Sequence, residues 1–193
     1  MIIWFEGVDT SGKSTQIERL SKTYKDAIIT KEPGGTELGV AIRELILHQN
    51  SPISSISELF LFLADRAEHY EKVISKNKHR LILSDRGFIS GMAYALANGL
   101  EADLGLLFRL NRLALGGSFS GKIVFFETTA ELISSRLKTK NSDIIESRGS
   151  EYLMNVQNWM KQIVTRLEMP VLYVNSALNE ASIEDAIKGF LND

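Results

Sequence analysis

Residues 7–14 read Gly-Val-Asp-Thr-Ser-Gly-Lys-Ser, followed by Thr15. The spacing fits G-x-x-x-x-G-K-[ST], and no other feature constrains the fold as much. The pattern needs a strand that ends just before it and a helix that it opens. Both flanks comply: residues 2–5 are Ile-Ile-Trp-Phe, and Ile17, Leu20 and Tyr24 follow at helical spacing. In that setting the glycines let successive N–H groups turn toward an anion. The helix N-terminus adds its partial positive charge. Lys13 can reach β- and γ-phosphate oxygens, and the Ser14 hydroxyl can ligate Mg²⁺. Gly7, Val8, Asp9, Thr10, Ser11, Gly12, Lys13, Ser14 and Thr15 are therefore the expected ATP-binding set.

Five short apolar runs, at 2–5, 27–30, 80–84, 122–127 and 171–175, alternate with helical patterns. The helices are expected near 13–24, 37–47, 56–75, 88–98, 101–115, 129–137, 150–167 and 182–191. The runs are continuous rather than alternating, as in strands covered on both faces. The expectation is an α/β fold with a five-stranded parallel sheet flanked by helices, forming one domain over 1–193. Ligands of such sheets sit at the carboxyl ends of the strands. Residues 116–121 (GGSFSG) read as a turn between a helix and the fourth strand. Residues 138–150 (KTKNSDIIESRGS) are polar and weakly periodic. They read either as a solvated loop or as a lid that closes over a ligand.

Charge and composition narrow the classes. Lys and Arg number 22 against 24 Asp and Glu, a net charge of −2, so no global basic field collects nucleic acid. The longest apolar run, 59–64, falls far short of the ~20 residues of a membrane span. The apolar stretch at 2–5 lacks a basic leader, so no secretory signal is expected. Cysteine is absent, which excludes disulfides and thiolate chemistry and suits a reducing cytoplasm. A guanine-reading Asn-Lys-x-Asp motif is also missing: Asn77-Lys78-His79-Arg80 begins like one, ends in Arg and precedes a strand. A small-molecule kinase therefore leads over a nucleotide-dependent switch.

Four segments carry a more specific resemblance: FEGVDTSGKSTQ (5–16), TKEPGGTELG (30–39), LFLFLADRAEH (59–69) and LSDRGFISGMAY (83–94). In order and separation they resemble the bacterial type of the thymidylate kinase family, among the P-loop nucleoside monophosphate kinases. The resemblance spans essentially the whole chain. It implies transfer of the ATP γ-phosphoryl group to dTMP with Mg²⁺, in a P-loop kinase architecture with a short lid, as a homodimer.

Residue by residue, the resemblance gives dTMP to Asp9, Glu32, Arg43, Phe62, Arg66, Arg86, Ser90 and Tyr94. Phe62 and Arg66 are four apart and share a helix face. Spacing alone makes Phe62 a core residue; the resemblance makes it the ring under thymine, with Arg66 donating to a base carbonyl. An Arg on an apolar helix needs an acceptor in any case. Asp85-Arg86 follows the third strand. Arg86 is placed to meet the acceptor phosphate and the transferring group, while Asp85 orients metal-bound water or holds Arg86; a structural ion pair is the plain alternative. Glu32-Pro33-Gly34-Gly35-Thr36 reads alone as a turn, and through the resemblance as the loop flanking the monophosphate, with Arg43 a phosphate clamp. Tyr94, four beyond Ser90, is expected to press on the sugar C2′ and disfavour a 2′-hydroxyl.

The catalytic candidates are Lys13, Arg86, Asp9, Arg136 and Arg148, and the metal candidates are Ser14 and Asp85. Two departures from the family pattern stand out. Thr10 sits where animal-type relatives carry a catalytic Arg, and Asp143-Ile144-Ile145-Glu146 has Ile where bacterial relatives place Arg. The transition-state cation is then sought in the order Arg136, Arg148, Lys140. Ala95 replaces a Gln that reaches thymine in many bacterial relatives. His48, His69 and His79 have no metal-ligand spacing and read as surface or helix-end residues; Trp4 and Trp159 read as core.

Overall fold

The computed structural model describes residues 1–48, 53–137 and 149–192. Five parallel strands form one sheet: β1 (Ile2–Glu6), β2 (Ile28–Lys31), β3 (Ile82–Asp85), β4 (Lys122–Glu127) and β5 (Val171–Asn175). Their order across the sheet is β2-β3-β1-β4-β5. Among the described residues the connecting helices are α1 (Lys13–Thr23), α2 (Glu37–His48), α3 (Ser55–His69), α4 (Phe88–Ala97), α5 (Leu104–Ala114), α6 (Ala130–Leu137), α7 (Gly149–Val164) and α8 (Glu180–Asn192).

The continuous apolar runs are explained by what covers each face. Ile2 and Trp4 of β1 join one core with Ile82, Ile123 and Phe125, roofed by α4 and α7. The alternate residues Ile3 and Phe5 join Leu83, Val124 and Phe126 on the other face, roofed by α1 and α8. Helix α4 is buried nearly all round, so only a helix rich in Ala, Gly, Met, Phe and Ile fits there. Its few polar groups, Ser90 and Tyr94, must find partners inside.

The helix expected over 56–75 is shorter in its regular part. Helix α3 ends at His69 and continues as one π-helical turn, Tyr70–Ile74, then a 3₁₀ turn, Ser75–Asn77. Apolar spacing persists through that stretch, and periodicity does not register the change in hydrogen-bond ladder. Helix α5 starts three residues later than expected, because the Asp103 carboxylate caps it, accepting from Gly105 N at 3.0 Å and Leu106 N at 3.1 Å. Helix α7 begins at Gly149, so the end of the expected 138–150 lid belongs to a helix. Residues 138–148, with Lys138, Lys140, Asp143, Glu146 and Arg148, lie outside the described residues.

Each strand ends on a polar residue at its carboxyl edge: Glu6, Lys31, Asp85, Glu127 and Asn175. In register, Phe5 pairs with Asp85 and Lys31 with Asp85. This edge carries the site.

Candidate functional site

The loop after β1 packs tightly against β4. A Cβ on Gly7 would lie 2.9 Å from the Phe126 carbonyl oxygen, and Gly7 has φ +148°, so only glycine fits. Among the described residues two non-glycine residues adopt positive φ, Thr10 at 64° and Arg86 at 67°, and both stand in this cleft. Such strain persists where the surroundings over-determine it, and it clusters at functional sites.

A cavity of about 550 Å³ opens over the loop. Asp9 through Gln16 line it, with Lys31, Glu32, Arg43, Asp85, Arg86 and Arg136; Ser176, Leu178, Glu180 and Ile183 close the far end. Gly7 and Val8 of the expected ATP-binding set do not line it. Val8 is fully buried, and the Gly7 carbonyl serves as an acceptor for side chains. Among the described residues, four buried side-chain polar atoms lack a partner. Three of them, Thr10 Oγ1, Gln16 Oε1 and Ser176 Oγ, belong to residues lining this cavity.

A second, narrower cavity of about 40 Å³ adjoins the first. All eight residues expected at dTMP line it: Asp9, Glu32, Arg43, Phe62, Arg66, Arg86, Ser90 and Tyr94. Asp9, Glu32, Arg43 and Arg86 line both cavities and form their common wall. Ala95 is buried in the core and lines neither.

Arg86 is the hub. Its Nη1 donates to the Gly7 carbonyl at 2.8 Å and to Ser90 Oγ at 3.2 Å, and its Nη2 donates to Asp9 Oδ1 at 2.7 Å. The partner that holds Arg86 is thus Asp9, not the neighbouring Asp85 of the sequence reading. The pair Asp85-Arg86 diverges where the chain leaves β3, with Arg86 turning at φ 67°. Asp85 Oδ2 instead accepts from Ser14 Oγ at 2.7 Å. The Tyr94 hydroxyl donates to Asp9 Oδ2 at 3.0 Å. Burial alone would raise Asp9, but the Arg86 and Lys13 cations, with the hydrogen bonds from Arg86 and Tyr94, hold it well below the usual carboxylate range.

Lys13 lies back over its own loop, with Nζ donating to the carbonyls of Gly7 at 3.0 Å and Val8 at 2.8 Å. Burial, reinforced by repulsion from Arg86, pushes its ammonium down to about 8 against the opposing pull of Asp85, Asp9 and Glu6. Arg136, on α6, donates to the Thr10 carbonyl at 2.7 Å and the Ser176 carbonyl at 2.9 Å, tying the loop to the segment after β5. Arg43 donates to the Pro33 carbonyl at 3.0 Å.

Sequence reasoning missed two residues here. The Glu6 carboxylate accepts from the N–H groups of Ile89 at 3.2 Å and Ser90 at 3.1 Å, and from the Ser90 hydroxyl, so it caps α4 from another element. Burial raises it to about 7 despite Ser90 and Arg86. Its signal was the acid directly before Gly7, in a strand otherwise apolar. His69 does end a helix, as expected, but it is fully buried rather than at the surface, with Nδ1 2.8 Å from Glu32 Oε1. No metal-ligand spacing marks such a residue, because its partner lies 37 positions away in the chain. Trp4 is core as expected, and Trp159 packs partly buried against it.

Comparison with known proteins bears on the family and the fold. The family model described as thymidylate kinase matches residues 5–187. Thymidylate kinase of Campylobacter concisus is 52% identical over 193 residues, covering 100% of this chain and 99% of that protein. The Campylobacter curvus thymidylate kinase is 48% identical over 192 residues, with 99% of each covered. A crystal structure of thymidylate kinase from Ehrlichia chaffeensis superposes with a TM-score of 0.77 at 25% identity, covering 100% of this chain and 98% of that one. With the family model matching residues 5–187 and a relative 52% identical over the whole chain, the chain belongs to the thymidylate kinase family.

Proposed function

We propose that the larger cavity takes ATP and the narrower one dTMP, with Arg86 between them. As a member of its family the chain is an enzyme that phosphorylates dTMP to dTDP with ATP, a step of dTTP synthesis. The observation that carries the assignment of substrates to cavities is their common wall of Asp9, Glu32, Arg43 and Arg86. A donor phosphate and an acceptor phosphate approaching from the two sides meet there, as in-line transfer requires. The narrow cavity is smaller than a nucleoside, so dTMP entry must displace side chains of its wall.

The chemistry asks the protein for alignment and charge, not for a covalent step. The dTMP phosphate is largely a dianion at pH 7 and attacks without a base. Asp9, held ionised, is a poor proton acceptor; its role is to aim Arg86. Lys13, Arg86 and Arg136 neutralise charge on the transferring group. Arg148 and the lid at 138–150 remain part of this reading, with Arg136 first in order because it already lines the cavity. Phe62 stacks on thymine and Arg66 donates to a base carbonyl.

The Ser14 hydroxyl and Asp85 carboxylate, side by side, fit Mg²⁺, which takes hard oxygen donors. Among the described residues no group of three or more His, Cys, Asp or Glu is gathered, and Mg²⁺ at nucleotides needs only one or two protein oxygens beside phosphate and water. When bound, the ion supplies positive charge at the β- and γ-phosphate oxygens. No helix among the described residues is long and apolar enough to cross a membrane. We place the enzyme in the cytoplasm, with small-molecule substrates and no nucleic acid, as a homodimer. Exposed Ile56 and Phe60 on α3 and Leu106 and Leu113 on α5 support the last point.

Release of ADP tests the assignment. It should be strong with ATP plus dTMP, weaker with dUMP, and near background with AMP, CMP, thymidine or no acceptor. Equal rates with and without acceptor would overturn it.

A further inference from the structure

Behind the narrow cavity lies a continuous chain of polar side chains, Thr30, His69, Glu32, Arg66 and Asn111, all buried except the half-buried Thr30. Thr30 Oγ1 stands 2.6 Å from His69 Nε2, and His69 Nδ1 stands 2.8 Å from Glu32 Oε1. The other carboxylate oxygen accepts from Arg66 Nε at 2.8 Å. Arg66 Nη1 donates to Asn111 Oδ1 at 2.6 Å, while the Asn111 amide nitrogen donates to the Leu107 carbonyl at 2.8 Å. That second bond fixes which way the amide faces. His69 and Asn111 are fully buried, Arg66 is 1% exposed and Glu32 2%.

The geometry leaves one edge of the guanidinium for a ligand. Nε and Nη1 are committed, and the plane is rigid. Helix α4 approaches the edge with the two terminal nitrogens so closely that a Cβ on Gly91 would stand 3.0 Å from Nη2 and 3.2 Å from Nη1. Gly91, Phe62, Ser90 and Tyr94 line the cavity at this edge. Arg66 is therefore aimed by Glu32, and Glu32 is aimed by His69. A carboxylate held only by Arg66 could rotate about its last bond; the imidazole on its second oxygen stops that rotation, and Thr30 stops the imidazole from turning.

We infer that His69 is a positioning residue for base recognition, acting through Glu32 to hold the Arg66 guanidinium at the angle thymine requires. The inference rests on the reading that Arg66 meets the base. His69 touches no substrate. Its contribution is to acceptor binding, with the ATP side left alone.

The two amide substitutes separate the roles of the ring nitrogens. In His69→Asn the amide nitrogen takes the place of Nδ1 and still reaches Glu32. In His69→Gln it takes the place of Nε2 and reaches Thr30 instead. His69→Gln should raise the dTMP KM about tenfold, the loss expected from a misaimed charge-assisted hydrogen bond, with the ATP KM within about twofold. His69→Asn should stay within about threefold of the unaltered chain. Glu32→Gln, read separately, should also raise the dTMP KM alone. Arg66→Gln should raise it as well, and adding His69→Gln to Arg66→Gln should then change little, because the link is already cut.

Steady-state kinetics with both substrates, well below the melting point of each variant, decide the matter. The inference is overturned if the dTMP and ATP KM rise together, if Asn fares no better than Gln, or if His69→Gln keeps its full effect on Arg66→Gln. If Arg66→Gln itself leaves the dTMP KM unchanged, the base reading fails and this one with it. If Arg66→Gln raises the KM and His69→Gln does not, only this one fails.

Discussion

Glu6 closes β1 and at the same time caps α4, so one carboxylate joins the strand that feeds the loop at residues 7–14 to the helix that walls the narrow cavity. Burial lifts it from 4.5 to about 7. Between those values the folded chain keeps a proton that the unfolded chain releases, so this group's contribution to stability is complete below pH 4.5 and is lost as pH rises through about 7. The slope from a single such group is at most about 1.4 kcal/mol per pH unit. Glu6→Gln cannot titrate, and melting curves across that window should fall less steeply for it than for the unaltered chain; parallel slopes would acquit Glu6. Tyr94 makes a second residue-scale case. Its hydroxyl is committed to Asp9, which leaves the ring to meet the sugar. Tyr94→Phe should keep the preference for dTMP over its 2′-hydroxyl counterpart, and Tyr94→Ala should lose it, as kcat/KM ratios would report. At this scale the sequence was legible where a side chain acts inside a local motif, as with Lys13 and Ser14. It was not legible where a residue acts on a distant one: Glu6 and Ser90 are 84 positions apart, and the spacing of Asp85 and Arg86 pointed to a pair that the fold separates.

Among the elements, α6 bears the sharpest expectation. It is short, Ala130–Leu137, and its last turn carries Arg136 to two carbonyls on different loops, Thr10 and Ser176. This helix end thus ties the loop at residues 7–14 to the segment after β5, beside the cavity proposed for ATP. Arg136→Ala should slow single-turnover phosphoryl transfer more than about tenfold, toward the ~10³–10⁵ typical of a lost arginine finger. If neither it nor alanine at Lys138, Lys140 or Arg148 exceeds tenfold, the lid assignment is wrong. Element identity and order followed from periodicity because the inner strands are covered on both faces and read as apolar runs; the edge strands kept apolar residues although Ile29 of β2 and Tyr173 of β5 are exposed. Boundaries slipped where a side chain or a change of ladder decides them: Asp103 delays α5, and the π-helical turn at Tyr70–Ile74 ends the regular part of α3.

For the molecule as a whole, two features of α3 pull in opposite directions. One face carries Phe62 and Arg66 to the narrow cavity; another leaves Phe60 57% and Ile56 56% exposed. With Leu113 of α5 at 77%, this apolar surface is what a second copy would cover. Light scattering tests the proposed dimer: the unaltered chain should have twice the monomer mass and Phe60→Glu the monomer mass; a monomeric unaltered chain would overturn the dimer, and a dimeric Phe60→Glu would place its interface elsewhere. The near-neutral total charge read from composition also proves local rather than general: Lys13, Arg43, Arg66, Arg86 and Arg136 all line the two cavities. Four of these cations already donate to main-chain carbonyls of the cleft: Lys13 to Val8, Arg43 to Pro33, Arg86 to Gly7 and Arg136 to Thr10. Ligand entry is thus an exchange of acceptors, not a simple addition. A neutral hydroxyl offers one dipole for another and gains little, whereas a phosphate oxygen brings full charge and displaces the carbonyl. On the proposed assignment the cleft should sort by charge, so that an unphosphorylated nucleoside binds far more weakly than its monophosphate.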